Sequence, residues 1–531
     1  MSSATASDPA RPRGWVTGAW VAGSDEPERR DGAGCSRRTA GVRPRGKSLD
    51  LGNASRHRAL IMADHVSASA EGNSEVDSPQ GGIDAAANPG LLSLSRLSAD
   101  EVLYRGRAVE QRTGLECDFE VVARWGVKQD IRWTAHFDTE AFALYHSAPD
   151  EMTFVLQDQA FATGYSIDSA HVSNRDLDNY AGWLDSGRIV GKADEEVRSI
   201  EVSWVNLSDT SGGRGAVLRV VGGDDGTQHA VWRGREVWNL GDWEMTIDAR
   251  PDLGKVTREL KDHGGHAVTH LAVLRRADGD AFVAADVVPV LRAFHQAVAF
   301  ALGREAAPGP AMAHDEDGAL VWREWSVRRA DQMGGVRPWW HPHACPMDEV
   351  TRLIGSKLLD PLWGRNASHI LQSYVLAKRG GFVEQRITVG YSAIEQLCWQ
   401  VKVFEEGADP GKYDGKKAAQ RLRGQLVAAS LPVQPKIPDR LGALRQFARD
   451  EGDPTAPLDG PAAVTEVRHR LMHPKDPTDL YSDSNLLVEA WALLGHYLEL
   501  LILRWAGYAG RVQNTSVIRG WAGEVEPVPW T

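Results

Sequence analysis

The spacing of the apolar residues changes once along this chain, and that change most limits what it can fold into. From about residue 99 to 345 apolar positions recur every second residue. Phe119, Val121, Ala123 and Trp125 alternate with Asp118, Glu120 and Arg124. Ile200, Val202 and Trp204 alternate with Glu201 and Ser203, and Trp243, Met245 and Ile247 with Glu244, Thr246 and Asp248. A period of two with one polar face predicts half-buried antiparallel strands. Turn signals such as Gly222-Gly223-Asp224-Asp225-Gly226 separate the runs. A sandwich or open barrel is expected, with one helix at about 284–302 and a late strand at about 319–327.

From about 347 to 506 the period becomes helical. Helices are expected near 348–360, 366–378, 382–405, 414–428, 437–450, 460–473 and 482–505. Ile387, Ile394, Leu397, Cys398 and Val401 form the apolar stripe of the third. Short loops favour antiparallel neighbours and so an up-and-down bundle. The last residues, 507–531, end in Val528-Pro529-Trp530. This tail is expected to pack on the body, because burying its apolar groups stabilises it. Residues 1–95, rich in Ser, Ala, Gly, Asp and Arg with no sustained period, are expected to form a disordered arm. Met62 offers an alternative start. The fold class is therefore α+β and multidomain: arm, β-rich domain over 99–345, all-α bundle over 347–506.

The 531 residues carry a net charge of −12, so any nucleic-acid contact must come from a local basic patch. Cys35, Cys117, Cys345 and Cys398 show no C-x-x-C spacing, which fits a reducing cytoplasm. No N-terminal apolar signal stands out. The apolar stretch 486–505 contains Glu489, His496, Glu499 and Arg504, which suits a buried core helix better than a membrane span. His341, His343 and Cys345 are metal-capable, but Pro342 and Pro346 predict a loop and no fourth ligand is evident. His263, His266 and His270 read as ordinary strand and turn histidines. No phosphate-binding glycine loop occurs, and no cofactor or metal is expected. Trp204, Trp232, Trp238 and Trp243 are expected to fill the β-rich core.

The most informative segment is Thr465-Glu466-Val467-Arg468-His469-Arg470-Leu471-Met472-His473-Pro474. Its R-x4-H spacing is weak by itself, since about one or two such matches arise by chance in a chain of this composition. Arg258 and His263 share it within the β region. Context separates the two. Arg468 lies on an amphipathic helix, His473 ends it before Pro474, and a long apolar helix follows. Arg and His at a helix C-terminus are also favoured electrostatically, so a purely structural role fits the same residues.

With Ser392-Ala393-Ile394-Glu395-Gln396-Leu397 on an earlier core helix, residues 347–506 resemble the HEPN superfamily. An R-x4-6-H motif sits near the last helices of those bundles. The β-rich region ahead of the bundle is similar in order to the ApeA-type bacterial subgroup. The resemblance implies metal-independent RNA cleavage in phage defence or growth arrest, with the β-rich domain as sensor or regulator. It implies that Arg468 stabilises the phosphate and His473 transfers protons. His469, at the family's polar position, often Asn, is implied as a third catalytic residue that orients the partner groups, and Glu395 holds Arg468. One motif supplies one terminal His, so a homodimer through the bundle is implied, with RNA as the partner and no membrane. Lys412, Lys416, Lys417, Arg421 and Arg423 form a basic run. With Arg470 they are the candidates for guiding RNA, the other reading being a solvated helix face. The alternative function is a catalytically inactive bundle that binds nucleotide or protein.

Overall fold

The computed structural model describes residues 100–126, 129–138, 150–176, 178–211, 218–222, 228–232, 235–429, 436–452, 457–474, 476, 478–516 and 525–531. All fall in one compact unit, Gly81–Thr531. The expected arm, 1–95, and Met62 lie outside the described residues. The architecture is α+β, with strands first and helices after.

Six strands come first: β1 (Glu101–Glu110), β2 (Glu116–Arg124), β3 (Asp130–Phe137), β4 (Glu151–Leu156), β5 (Ser166–Arg175) and β6 (Asn179–Leu184). They form a closed barrel in the order β1-β2-β3-β6-β5-β4, not the sandwich or open barrel expected. Pairing of Ala108 with Leu156 joins β1 to β4 and leaves no free edge. The alternation seen in sequence is the cause of the inward face. Cys117, Phe119, Val121 and Ala123 are buried while Glu116, Asp118 and Arg124 are exposed. Phe119 and Phe154 meet at 4.5 Å between ring centroids, and Trp133 stacks on Phe119 at 5.9 Å. The barrel interior is therefore packed with side chains.

An antiparallel sheet follows, built from β7 (Arg188–Gly191), β8 (Ser199–Val205), β9 (Leu218–Gly222) with β10 (Gln228–Trp232) as a separate pair, β11 (Arg235–Leu240) and β12 (Trp243–Ala249). Then come α1 (Leu253–His263), β13 (Val268–Arg276), α2 (Ala284–Leu302), β14 (Ala307–Pro308), β15 (Met312–His314) and β16 (Leu320–Trp325). The sheet order is β11-β12-β13-β8-β15-β16-β7, with β14 on β8. Trp204 and Trp238 are fully buried and meet edge to face at 5.9 Å; Trp243 is buried too, and the Trp232 side chain lies outside the described residues. Helix α1 corrects the reading of Arg258 and His263 as part of a strand region. Leu253, Val256 and Leu260 face inward at helical spacing, and Gly264 ends the helix at φ 74°.

The helical part comprises α3 (Met347–Leu359), α4 (Gly364–Arg379), α5 (Val383–Trp399), α6 (Pro410–Asp414), α7 (Ala418–Ala428), α8 (Gly442–Glu451), α9 (Gly460–Met472) and α10 (Leu486–Ala506). A π-helical stretch, Gln400–Glu405, extends α5. A two-stranded hairpin, β17 (Arg511–Gln513) with β18 (Val525–Pro527), closes the chain. Buried Val528 and the Trp530 indole, which donates to Tyr508 O at 2.6 Å, hold it to the body. One apolar core runs from Trp204 and Leu274 of the sheet through Phe294 and Phe300 of α2 to Tyr374, Ile394 and Leu498 of the helices. A second core fills the barrel and reaches Val205, Leu271 and Trp325 of the sheet. Helices α2 and α10 are long and apolar enough to cross a membrane, and both are mostly buried inside the protein.

Two buried histidines make stability depend on pH. Burial pushes His270 of β13 down to about 3 and His496 of α10 down to about 4. Their unfolded value is about 6.5, so the folded state holds them neutral while the unfolded chain takes up protons. Their contribution is complete above pH 6.5 and falls as pH drops from there toward 4. A loss on the order of 5 kcal/mol is expected across that window. Urea midpoints measured between pH 7 and 5 check it, and His496→Gln should flatten the decline.

Candidate functional site

Helix α9 starts where Asp459 accepts from the Ala462 N–H at 2.9 Å, with Pro461 in the first turn. These are the ordinary start signals of a helix. The helix buries Ala463, Val464 and Val467 and ends at His473, whose backbone has left helical geometry at φ −134°, ψ 66° before Pro474. The His473 N–H still donates to His469 O at 2.8 Å.

The structure brings His469 and His473 together. They stand four residues apart on one exposed face, with ring centroids 5.1 Å apart and planes inclined at 51°. A single chain therefore carries two neighbouring imidazoles. The resemblance implies one proton-transfer group per chain; the i, i+4 spacing of the two histidines on a helix gives two.

Arg468 lies on the adjoining face and turns toward α5. Its Nη2 is 3.6 Å from Glu395 Oε2, and its guanidinium carbon sits 5.4 Å from the centre of the Tyr391 ring. The side chain is 27% exposed, so one side of the guanidinium meets solvent while Nε is buried without an acceptor. An unsatisfied buried N–H costs about 1–3 kcal/mol. Tyr391 Oη lies 2.7 Å from Thr465 Oγ1 of α9, and burial pushes the phenol up to about 12. Tyr391 thus stays a neutral platform for the arginine. Its signal was its place four residues before Glu395, on the same face of α5.

Glu395 serves two cations. Its Oε1 accepts from Arg421 of α7 at 3.0 Å. Arg421 also reaches Asp414 at 3.5 Å, and Arg423 pairs with the cap residue Asp459. The expected basic run is thereby divided. Lys412, Lys416 and Lys417 are exposed, with no ion pair among the described residues, while Arg421 and Arg423 are held by carboxylates. Arg470 turns to another set of partners: Glu466 at 3.1 Å, Glu451 and Asp479, with Phe447 beneath it. Three carboxylates leave it little charge to offer a phosphate. Arg470→Ala is expected to lower stability by about 1–2 kcal/mol through that cluster, read as a shift in the urea midpoint, and to change nucleic-acid affinity little.

Elsewhere, Cys345 is buried, its Sγ is 3.7 Å from Glu349 Oε2, and burial pushes its thiol up to about 12. His341 and His343 stand beside each other in the expected loop at 5.2 Å. No cluster of three or more metal-capable His, Cys, Asp or Glu residues occurs among the described residues.

Residues 192–336 match the family model of the YopA central domain, and residues 360–526 that of the YopA C-terminal domain. The second match contains Glu395, Arg468, His469 and His473; the barrel precedes both. The SPbeta prophage-derived uncharacterized protein YopA of Bacillus subtilis (strain 168) is 26% identical over 352 residues, covering 64% of this chain and 74% of that protein. No solved structure matches. Neither the family descriptions nor the relative's name carries an activity or a HEPN designation, so the HEPN resemblance rests on this chain's own residues.

Proposed function

We propose that this chain is a metal-independent endoribonuclease of HEPN type, with His469 and His473 as its proton-transfer pair. The observation that carries the reading is the exposed imidazole pair, 5.1 Å between centroids, on the helix turn that also supplies Arg468. Cleavage of RNA by its own 2′-hydroxyl needs this equipment. One neutral imidazole takes the 2′-O–H proton as the 2′ oxygen bonds to phosphorus. The P–O5′ bond breaks, and the departing oxygen takes a proton from the other imidazole in its charged form. The products are a 2′,3′-cyclic phosphate and a 5′-hydroxyl. Imidazole suits both tasks near neutral pH. Arg468, kept in place by Glu395 and Tyr391, presents a fixed positive charge to the pentacoordinate phosphorus. Lys416 and Lys417 give RNA a positive approach on an otherwise acidic chain.

A homodimer through the helical part belongs to the proposal as the means of enlarging the RNA cleft. It is not needed to supply a second histidine. The β-rich part is the sensor or regulator, and the setting is the cytoplasm. The prophage origin of the Bacillus relative fits a role in conflict between phage and host, as defence or growth arrest.

The test is incubation of the full chain with single-stranded RNA in excess EDTA. Fragments ending in cyclic phosphate, absent with Arg468→Ala, are expected. Intact RNA in the presence and absence of metals would overturn the reading. One observation favours a second function, an inactive bundle that binds nucleotide or protein: Glu395 already neutralises Arg468. Under that reading RNA survives, and binding persists in His473→Ala.

A further inference from the structure

A cleft of about 530 Å³ opens between α2, α4 and the end of β16, away from the imidazole pair. Four arginines from three segments border it: Arg292 of α2, Arg328 and Arg329 after β16, and Arg379 of α4. In a chain of net charge −12, such a concentration in one concavity reverses the local sign.

Each carboxylate of the cleft lies beside a cationic or ionisable group. Glu324 is held by Arg328 at 2.7 Å, and Glu305 faces the buried imidazole of His295, with Nε2 and Oε2 3.0 Å apart. Arg328 is further fixed to the Gly309 and Pro308 carbonyls, so its task is structural. Asp331 is shared by Arg329 at 3.2 Å and Arg379 at 4.0 Å. Arg292 is exposed and has no hydrogen bond or ion pair among the described residues. Arg329 is 60% exposed, with most of its donors free.

A second observation is independent of charge. Gln296, one helical turn from Arg292, is only 8% exposed. Its amide nitrogen donates to Ser368 Oγ at 2.8 Å, while its oxygen is buried without a partner. A buried amide oxygen left unsatisfied is costly, and calls for a partner beyond the chain's own groups, such as a water, an ion or a polar group of a ligand. Val375 and Leu376 of α4 add an apolar wall.

We infer that this cleft is a binding site for a small phosphorylated molecule. Arg292 and Arg329 grip the phosphate, the Gln296 amide bonds the organic part, and that part lies on Val375 and Leu376. A guanidinium fork matches carboxylate and phosphate alike, but two forks together use the three oxygens and second charge of a phosphate, which a single carboxylate lacks. The cleft joins elements of the β sheet and the helices, so its occupancy couples the two. The inference does not depend on RNA cleavage.

The experiment is calorimetric titration of the full chain, at low salt, with pyrophosphate, ADP and adenosine. Pyrophosphate and ADP are expected to bind and adenosine not. Arg292→Ala and Arg329→Ala, both on exposed side chains, should each weaken binding about tenfold or more with unchanged circular dichroism. Binding should persist in His473→Ala. Failure of both phosphates to bind at millimolar concentration would overturn the inference. Adenosine binding as tightly as ADP, or a loss confined to His473→Ala, would overturn it too.

Discussion

Under the proposed function, His473→Ala is expected to lower RNA cleavage by about 10²–10⁴ and to leave the unfolding midpoint within experimental error. The first half follows from losing one of the two proton carriers that the proposed mechanism uses. The second follows from position. His473 is exposed, and the contact that ties it to the helix is its backbone N–H to His469 O, which alanine retains. Alanine removes the exposed ring contact with His469 and a helix-dipole contribution of about 0.3 kcal/mol for an exposed group in salt. His469→Ala gives a loss of the same order. The double variant is no worse than the weaker single one, because acid and base act as a unit. Initial rates on a labelled RNA, paired with thermal melts of the same preparations, check both halves. Activity retained by both variants would remove the imidazoles from the mechanism.

Glu499→Ala unfolds the protein far more easily, by about 3–5 kcal/mol. Glu499 is 1% exposed in α10 and is the hub of a buried polar cluster. Lys378 Nζ donates to its Oε1 at 2.7 Å, the Tyr374 hydroxyl donates to the same oxygen at 2.8 Å, and Thr515 donates to Oε2. Burial and the neighbouring carboxylate hold the Tyr374 phenol well above its usual range, so it stays a donor. Alanine at 499 strands a charged lysine that is 7% exposed, which is the costly way to break a buried pair. The cluster also joins α4, α10 and the stretch that follows β17 in the terminal hairpin, so the hairpin should loosen with it. Faster proteolysis near residue 515, with a lower urea midpoint, is the expected signature. Glu499→Gln keeps the shape and should lose less.

The helices were legible because their apolar stripes are long and their ends are marked. Pro474 stops α9, and Gly507 ends α10 with φ 78°. Helix α2, expected at 284–302, occupies Ala284–Leu302. The short helix α1 was masked by the strands around it, although Leu253, Val256 and Leu260 carry its period. Barrel closure could not be read, because alternation fixes which face is inward and says nothing of which strands become neighbours. Pairing β1 with β4 is a long-range outcome of twist and packing.

At the candidate site, Glu395 beside Arg468 was expected and is present at 3.6 Å. The competing grip of Arg421 on Glu395 and the capture of Arg470 by three carboxylates were not. Charge partners on other helices are set by packing, which sequence spacing does not encode. The imidazole pair is readable from the i, i+4 spacing of His469 and His473, whereas the resemblance places His469 at a family polar position.

In the proposed mechanism the imidazoles drive attack by the RNA's own 2′-hydroxyl. Cleavage of one short RNA should be compared with the same strand carrying a single 2′-deoxy nucleotide at the cut position, both in EDTA. Cutting at that bond is expected to disappear while neighbouring bonds are still cut. Equal cleavage of the deoxy-substituted bond would contradict it.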